Sequence, residues 1–245
     1  HYGKWHLSGG GPGLHGYDEH DGDTSNGDAA PFTDPNPVDI FGMGERASGF
    51  MAENTREGRP FFIQLSYHAL HYPENSLVTT QEKYENLPSG RMHRDPLRAA
   101  ITEDLDTGIG LLIAKIEELD IADDTFFIFM SDNGAGGGGG RVRPIQGGKG
   151  SLREGGIRVP LIVRGPGIEP NSFCHTPIIG FDLLPTLCEL AGAEEQIPDG
   201  IEGGSIADLL IHGDKGTVQR PREELVFHFP HYQSGDGPHS AIRLG

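Results

Sequence analysis

Three short, almost continuously apolar segments restrict the fold of this chain more than any other feature. They cover residues 61–66, 125–130 and 159–163, and a polar or glycine-rich stretch follows each of them. Residues 96–119 lie between the first two segments, and their apolar side chains recur at helical spacing. Continuous apolar strands that alternate with helices are typical of a parallel sheet covered on both faces. The sequence therefore predicts an α/β fold with a mostly parallel central sheet sandwiched by helices.

Weaker signals complete the predicted order of elements. Residues 1–7 read as the end of a strand, and residues 38–54 as a helix that stops at Gly58. Another helix is predicted to begin at a capping Asp182 and to end near residue 191. The remaining internal stretches are rich in glycine and polar residues and are predicted loops: 8–37, 67–96 and 131–156. Beyond residue 212 the pattern favours neither helix nor strand.

Charge and hydropathy exclude two classes of partner. The 245 residues include 19 basic and 36 acidic side chains, a net charge of −17, and no run of lysine or arginine forms a stripe. Binding of nucleic acid through its phosphates is therefore not expected. No apolar run approaches the roughly 18 residues of a membrane span, so none is predicted. Cys174 and Cys188 could pair, but two cysteines make no disulfide framework.

Oxygen ligands and imidazoles follow the first two apolar segments. Asp132 and Asn133 come directly after residues 125–130, and such side chains suit a hard cation such as Ca²⁺ or Mg²⁺. The alternative is an ordinary Asx turn. His68 and His71 follow residues 61–66 and could contact an anion or act as general acids. Alternatively, one of them is a structural histidine.

Two further segments carry cationic side chains. Lys4 and His6 would point to the same face if they lie in a strand, which favours an anionic group there. Lys149 lies in a glycine-rich stretch that fails the phosphate-loop pattern twice, at Arg143 and Gly150. It can still reach an anion as a point charge, or it is a solvated loop lysine. Together the four segments predict a metal-assisted site for a small tetrahedral oxyanion ester.

The same four segments, in this order, resemble motifs of the sulfatase family. The similarity runs through almost the whole chain and is specific because four motifs agree. They are Gly3–Leu7 (GKWHL), Ser66–Pro73 (SYHALHYP), Ser131–Gly134 (SDNG) and Gly148–Pro160 (GKGSLREGGIRVP). The resemblance implies an alkaline-phosphatase-like fold and the hydrolysis of a sulfate ester, of a small molecule or a glycan. It also suggests a periplasmic or secreted protein, and it implies no particular oligomeric state.

The resemblance also implies a role for individual residues. Lys4 and His6 would hold a hydrated formylglycine, the nucleophile of the family, while His71 and Lys149 would bind sulfate oxygens and assist the leaving oxygen. Asp132 and Asn133 would complete the shell of a Ca²⁺ ion, or of Mg²⁺ in its place. The metal and the cations would neutralise charge that grows in the transition state.

Near the end of the sequence, Phe227–Tyr232 resembles a segment that lines the substrate cleft in bacterial relatives. His228 or His231 would then touch the leaving group; the alternative is a pair of strand histidines. Residues 240–245 resemble the first strand of a small carboxyl-terminal subdomain, which predicts a catalytic domain over 1–212 and the start of that subdomain over 213–245. Gln146 departs from the family, in which arginine is expected at this position.

The largest departure concerns the nucleophile. The family makes formylglycine from a C/S-x-P-x-R motif and carries an Asp-Asp metal pair, both upstream of GKWHL. The C/S-x-P-x-R motif occurs nowhere in these 245 residues, and the Asp-Asp pair expected upstream of GKWHL is absent as well. The expectation is a piece of a sulfatase, truncated at both ends and inactive alone. Three alternatives stay open: a phosphodiesterase or phosphonate hydrolase of the same superfamily, a non-catalytic metal- or glycan-binding relative, and a plain α/β domain whose motifs are coincidental.

Overall fold

A computed structural model describes residues 1–91, 93–136, 145–232 and 237–244. The chain forms two compact units, His1–Ala122 and Asp123–Gly245. The predicted boundary between residues 212 and 213 stays a prediction. Arg143 and most of the glycine run 136–140 lie outside the described residues.

Helices and strands are interspersed along the described chain. The helices are α1 (Ile40–Glu57), α2 (Val78–Glu85), α3 (Pro96–Glu118), α4 (Glu154–Ile157), α5 (Leu183–Leu190) and α6 (Ala207–His212). The strands are β1 (Tyr2–Gly3), β2 (Leu65–Ser66), β3 (Phe127–Met130), β4 (Leu161–Arg164), β5 (Leu225–Phe229) and β6 (His239–Arg243). None of the described helices is long and apolar enough to cross a membrane.

The first unit is built on the packing of α1 against α3. The apolar stripe of α3 is confirmed, and the helix starts as its sequence indicates, with the Asp95 carboxylate accepting a hydrogen bond from the Arg98 N–H. A Cβ at Gly108 would meet the side chain of Ile40, so this glycine permits the close approach expected there. Buried apolar residues from both helices and from the preceding loop form one core: Ala29, Val38, Ile40, Ile101 and Leu105.

Strand β2 is much shorter than the predicted strand over 61–66. It pairs in parallel with β1, Tyr2 opposite Leu65 and Gly3 opposite Ser66. Gly3 has φ +89° and turns the chain away, which ends the ladder after two residues. Helix α2 was not predicted, because its sequence VTTQEKYE has no apolar stripe; it is held on α3, where the Asp104 carboxylate accepts a hydrogen bond from the Leu77 N–H at 2.8 Å.

The second unit departs from the predicted parallel arrangement. Strands β3 and β4 are antiparallel, Phe127 opposite Arg164, and so are β5 and β6; among the described pairs only β1 and β2 are parallel. A parallel pair needs a crossover, usually a helix. The only helix in the described part of the connection between β3 and β4 is α4, which has four residues. The chain returns beside β3 in the opposite direction.

One smaller expectation about the second unit is corrected, and the open question of cysteine pairing is answered. The Asp182 side chain does not cap α5; it accepts hydrogen bonds from the Ile179 and Gly204 N–H groups and from Arg220. Cys174 and Cys188 are both unpaired. The undecided tail forms a hairpin, in which the residues expected to make a strand near the end are β6.

Candidate metal- and anion-binding site

Lys4 and His6 do not lie in a strand, and the same-face argument for them is wrong. Strand β1 ends at Gly3, and His6 has φ +47°. The backbone N–H of Lys4 still donates to the Ser66 carbonyl at 2.8 Å, which holds the lysine beside the end of β2. The His6 side chain is exposed and the Lys4 side chain is half-buried.

An acidic network fixes the backbone just before Lys4. The Asp21 carboxylate accepts from the Gly3 N–H at 2.7 Å and from Arg46 at 2.8 Å, and Arg46 also donates to Asp39 at 2.7 Å. Burial lowers the pKa of Arg46, but its bonds to the two carboxylates outweigh that effect and leave the pKa raised. These hydrogen bonds anchor the backbone segment that carries Lys4.

His71 and His68 belong to one turn but have different surroundings. The His71 N–H donates to the His68 carbonyl at 3.0 Å. The His71 ring is exposed; its Nδ1 lies 2.8 Å from the Tyr72 carbonyl, and its Nε2 lies 3.4 Å from Nδ2 of Asn26. Since a carbonyl can only accept, Nδ1 carries the proton and Nε2 of a neutral His71 faces Asn26 as an acceptor.

His68 is buried, with 5% of its surface exposed, and its Nδ1 has no hydrogen-bond partner. Burial lowers the pKa of His68; the carboxylates of Asp39 and Asp28 oppose this effect, and the charge of Lys4 adds to it. The interpretation of one structural and one accessible histidine therefore fits the turn, with His68 as the buried one.

The lowered pKa of His68 predicts a pH-dependent stability of the first unit. Below the ordinary histidine pKa of about 6.5, the unfolded chain takes up a proton that folded His68 resists. The free energy of unfolding, measured by urea denaturation at each pH, should therefore fall as the pH is lowered from 7.5 to 5.5. His68→Gln should lose less of its stability over this interval, while the exposed His15→Gln should keep the parent slope. Equal slopes for all three proteins would show that His68 is not the group responsible.

Asn26 is a site residue that the sequence analysis missed. A short 3-10 turn, Asn26–Ala29, presents it, and Asp28 accepts hydrogen bonds from the Ser25 N–H at 2.6 Å and the Ser25 hydroxyl at 2.9 Å. Ser25-x-x-Asp28 is the spacing of a capping box and could have predicted this turn within the long loop 8–37. Its proximity to His71, 45 residues away, has no local signal.

In the second unit, Asp132 and Asn133 lie directly after β3, as predicted. The Ser131 hydroxyl donates to the Asn133 carbonyl at 2.9 Å and closes a tight turn. Asp132 is exposed and Asn133 is half-buried, and within the described residues no hydrogen bond or ion pair engages either side chain. The turn and the ligand interpretations are thus compatible, because the turn leaves the oxygen atoms of both side chains available.

Residues 146–156, which we call the Lys149 segment, are held to this turn by backbone hydrogen bonds. The Gly134 N–H donates to the Gly156 carbonyl at 3.1 Å, and the Lys149 N–H donates to the Ala135 carbonyl at 3.1 Å. The Lys149 side chain is exposed. The structure therefore brings Asp132, Asn133 and Lys149 to the same end of β3.

Gly134 packs tightly against the Lys149 segment, so a substitution there tests whether the turn and the segment are in contact. A Cβ there would overlap the Gly155 carbonyl oxygen, so Gly134→Ala should push the Asp132 turn away from the Lys149 segment. We expect a loss of about 1–3 kcal/mol in the free energy of unfolding of the second unit. Gly136→Ala is the control, because a Cβ at Gly136 meets nothing within 4 Å. Similar unfolding curves for the two variants would contradict the packing described.

The donors for a metal are two oxygen-bearing side chains. In the described ranges no group of three His, Cys, Asp or Glu side chains is placed to hold an ion. Ca²⁺ takes about 6–8 oxygen ligands, so these two side chains would supply only part of its shell. Gln146, at the position where arginine was expected, accepts a hydrogen bond from Arg153 at 3.2 Å.

His228 and His231 lie on and just after β5. Both are exposed; Nδ1 of His228 is 2.8 Å from the Ser240 hydroxyl, and the His231 ring packs edge-on against Phe229 with centroids 5.1 Å apart. The sequence analysis missed His239 on β6, whose Nε2 accepts a hydrogen bond from the Leu152 N–H at 3.1 Å. This bond links the hairpin to the Lys149 segment across 87 residues, a separation at which no sequence pattern acts.

An α/β chain that carries, at one strand end, two oxygen-bearing side chains without a partner among the described residues, and a lysine beside them, defines a candidate metal- and anion-binding protein. The sulfatase family profile matches residues 2–193. A sulfatase of Formosa agariphila is 34% identical over 203 residues, which cover 78% of this chain and 36% of that protein. Human arylsulfatase A is 34% identical over 207 residues, which cover 81% of this chain and 37% of that protein.

The fold is also similar to that of a solved structure. The crystal structure of Ps i-CgsB matches with a TM-score of 0.68 at 24% identity, over 85% of this chain and 45% of that one. The chain belongs to the sulfatase family, and its α/β, alkaline-phosphatase-like fold class is confirmed. It spans a little over a third of the length of the two relatives named above.

Proposed function

We propose that this chain supplies the sulfate-binding cations and part of the metal shell of a sulfuric ester hydrolase. The observation that carries the proposal is the joining of Asp132, Asn133 and Lys149 by the backbone bonds from Gly134 to Gly156 and from Lys149 to Ala135. These residues stand in motifs of a family to which the chain belongs. No observation favours a phosphodiesterase, a phosphonate hydrolase or a non-catalytic relative.

The donor chemistry fits Ca²⁺, with Mg²⁺ as the alternative. Sulfatases generally depend on a metal and a formylglycine. Asp132 offers an exposed carboxylate and Asn133 an amide oxygen, both ligands that hard cations prefer, and no basic side chain within the described residues competes for them. The bound metal would supply Lewis-acid stabilisation of negative oxygen, and the formylglycine would supply the nucleophile.

The residues of this chain bind and stabilise charge. Lys149 would pair with a sulfate oxygen as a point charge, and its position among glycines lets the backbone approach closely. His71 holds its Nδ1 proton on the Tyr72 carbonyl, so a second proton on Nε2 would make it a donor to a sulfate or leaving-group oxygen. Lys4 and His6 would hold the nucleophile, and His228 or His231 would contact the leaving group.

The substrate class we propose is a sulfated glycan. Two tyrosines directly follow candidate site histidines and are largely exposed, Tyr72 at 80% and Tyr232 at 86%. Exposed aromatic rings offer flat apolar faces on which a sugar ring can stack. An ulvan-active sulfatase of Formosa agariphila is 29% identical over 83% of this chain, and Ps i-CgsB has been solved with a neocarrahexaose. A sulfate ester of a small aromatic alcohol is the alternative substrate.

Two further proposals follow from the family alone. The catalytic domain would cover residues 1–212, with a small carboxyl-terminal subdomain beginning at 213. The compartment would be the periplasm or the exterior of the cell, where such polysaccharides are met.

The proposal is tested by sulfate release from carrageenan and ulvan oligosaccharides by the protein that the complete gene encodes. Activity should be lost with a chelator and restored by Ca²⁺, and Asp132→Ala should raise the Ca²⁺ concentration required. Asp199→Ala is the matched control, since Asp199 is an exposed aspartate of the same unit. A rate of sulfate release that the chelator leaves unchanged, or equal Ca²⁺ requirements for the two variants, would count against Asp132 as a ligand.

A further inference from the structure

The β5–β6 hairpin is joined to the Lys149 segment by a histidine that has no role in the reaction as proposed. His239 lies on β6 opposite Phe229 on β5, and the rings of these two residues are 6.0 Å apart. On the same hairpin, His228 pairs with Ser240, the residue after His239. The position of His239 is therefore set by the register that also sets the positions of the two candidate substrate histidines.

Both ring nitrogens of His239 are used, and their partners specify one tautomer. Nδ1 lies 2.5 Å from the Gly237 carbonyl, which can only accept, so Nδ1 carries the proton. Nε2 is then free to accept the hydrogen bond from the Leu152 N–H at 3.1 Å. An imidazole with both nitrogens engaged in this way is oriented, since rotation of the ring would break both bonds.

Leu152 lies three residues after Lys149 in the segment that is also bonded to the Asp132 turn. A second link comes from Arg243, at the end of β6, whose guanidinium lies 3.3 Å from the Glu154 carboxylate. That ion pair is largely exposed and contributes little alone. The hydrogen bond from Leu152 to the half-buried His239 is therefore the more specific of the two links.

We propose that His239 is a positioning residue: its Nε2 holds the Lys149 segment in register with the β5–β6 hairpin. This inference rests on the proposed function, because the relative position of Lys149 and the hairpin histidines matters only if both bind the substrate. Together with the weaker Arg243–Glu154 pair, this bond keeps the cation that would bind sulfate at a fixed distance from the imidazoles that would meet the leaving group. His239 itself touches no reacting atom.

Hydrogen–deuterium exchange tests this role without requiring activity. In the protein encoded by the complete gene, His239→Ala should speed amide exchange of the peptide containing Leu152 by roughly three- to tenfold, the range expected for one lost hydrogen bond. Exchange in α5 should not change. His239→Gln, whose amide oxygen can take the place of Nε2, should restore most of the protection. His212→Gln, an exposed histidine of the same unit, is the control.

A purely structural role would give a different pattern. Faster exchange in both the Leu152 peptide and α5, no change in either, or no restoration by glutamine would each overturn the proposal. If His239→Ala does not fold, the ¹⁵N shifts of the unmodified protein decide the question: a protonated Nδ1 and an unprotonated, hydrogen-bonded Nε2 are expected, and the opposite tautomer would overturn it.

The proposed function can fail separately. Faster exchange of the Leu152 peptide in His239→Ala, together with no sulfate release by the unmodified protein, would support the Leu152–His239 link and reject the proposed sulfatase activity. Sulfate release by the unmodified protein, with unchanged exchange of the Leu152 peptide in His239→Ala, would support the activity and reject the link. In an active enzyme, His239→Ala should raise KM for a sulfated oligosaccharide more than it lowers kcat, with glutamine again restoring the loss.

Discussion

Asp182→Ala should lower the free energy of unfolding of the second unit by about 3–5 kcal/mol, the cost of leaving a buried charge without its partner. Asp182 is fully buried, and its two oxygens bind Arg220 at 2.8 and 2.6 Å. The same oxygens accept the Gly204 and Ile179 N–H groups, so the substitution also leaves buried backbone donors unsatisfied. Urea denaturation followed by circular dichroism measures the loss.

Lys83→Ala is the control for this prediction. Lys83 and Glu103 are also 2.6 Å apart, but their side chains are 53% and 34% exposed, and such an exposed pair contributes little to stability. The comparison holds the distance between the charges constant and varies their burial. Losses of similar size in Asp182→Ala and Lys83→Ala would contradict the structural role assigned to the buried pair.

Lys149→Ala should reduce kcat/KM for a sulfate ester by about 100- to 1000-fold in the protein encoded by the complete gene, the range for removing one donor aimed at developing negative charge. The lysine side chain is exposed, so the unfolding midpoint should stay close to that of the parent. Lys149→Arg should recover only part of the activity, because a planar guanidinium does not replace a compact ammonium. Initial rates of sulfate release give the values.

The matched control for Lys149 is Lys215→Ala, a lysine of the same unit that stands outside the motifs. It should keep the activity of the parent protein. A loss below tenfold in Lys149→Ala, or an equal loss in Lys215→Ala, would show that Lys149 does not bind the sulfate group.

The long helices were predicted well because their signals are local. The apolar stripe of α3 lies within 23 residues, and Gly58 ends α1 as its sequence indicates. Strand lengths were not predicted well, because a strand extends only as far as its partner. The turn at Gly3 limits β2 to two residues, although the apolar run is longer. Sequence also gave no sign that β4 would return antiparallel to β3.

The site divides in the same way. The motifs marked Lys4, His71, Asp132 and Lys149 as candidate site residues, because each stands in a short, recognisable segment. The residues that hold these segments in place went unnoticed. Asp21, Arg46 and His239 act through contacts with residues 18 to 87 positions away, where sequence spacing carries no information. Backbone bonds between Asp132's turn and the Lys149 segment have no sequence signature at all, since any residue supplies the same N–H and carbonyl groups.

The most direct test of the central claim compares sulfate and phosphate esters of the same alcohol. We would measure kcat/KM of the protein encoded by the complete gene, with Ca²⁺, for 4-nitrophenyl sulfate and for bis(4-nitrophenyl) phosphate. A sulfuric ester hydrolase should favour the sulfate, with that activity lost in Lys149→Ala. Preference for the phosphate diester would assign the chain to a different hydrolase. Hydrolysis of neither ester, together with no sulfate release from carrageenan or ulvan oligosaccharides, would contradict the proposed activity.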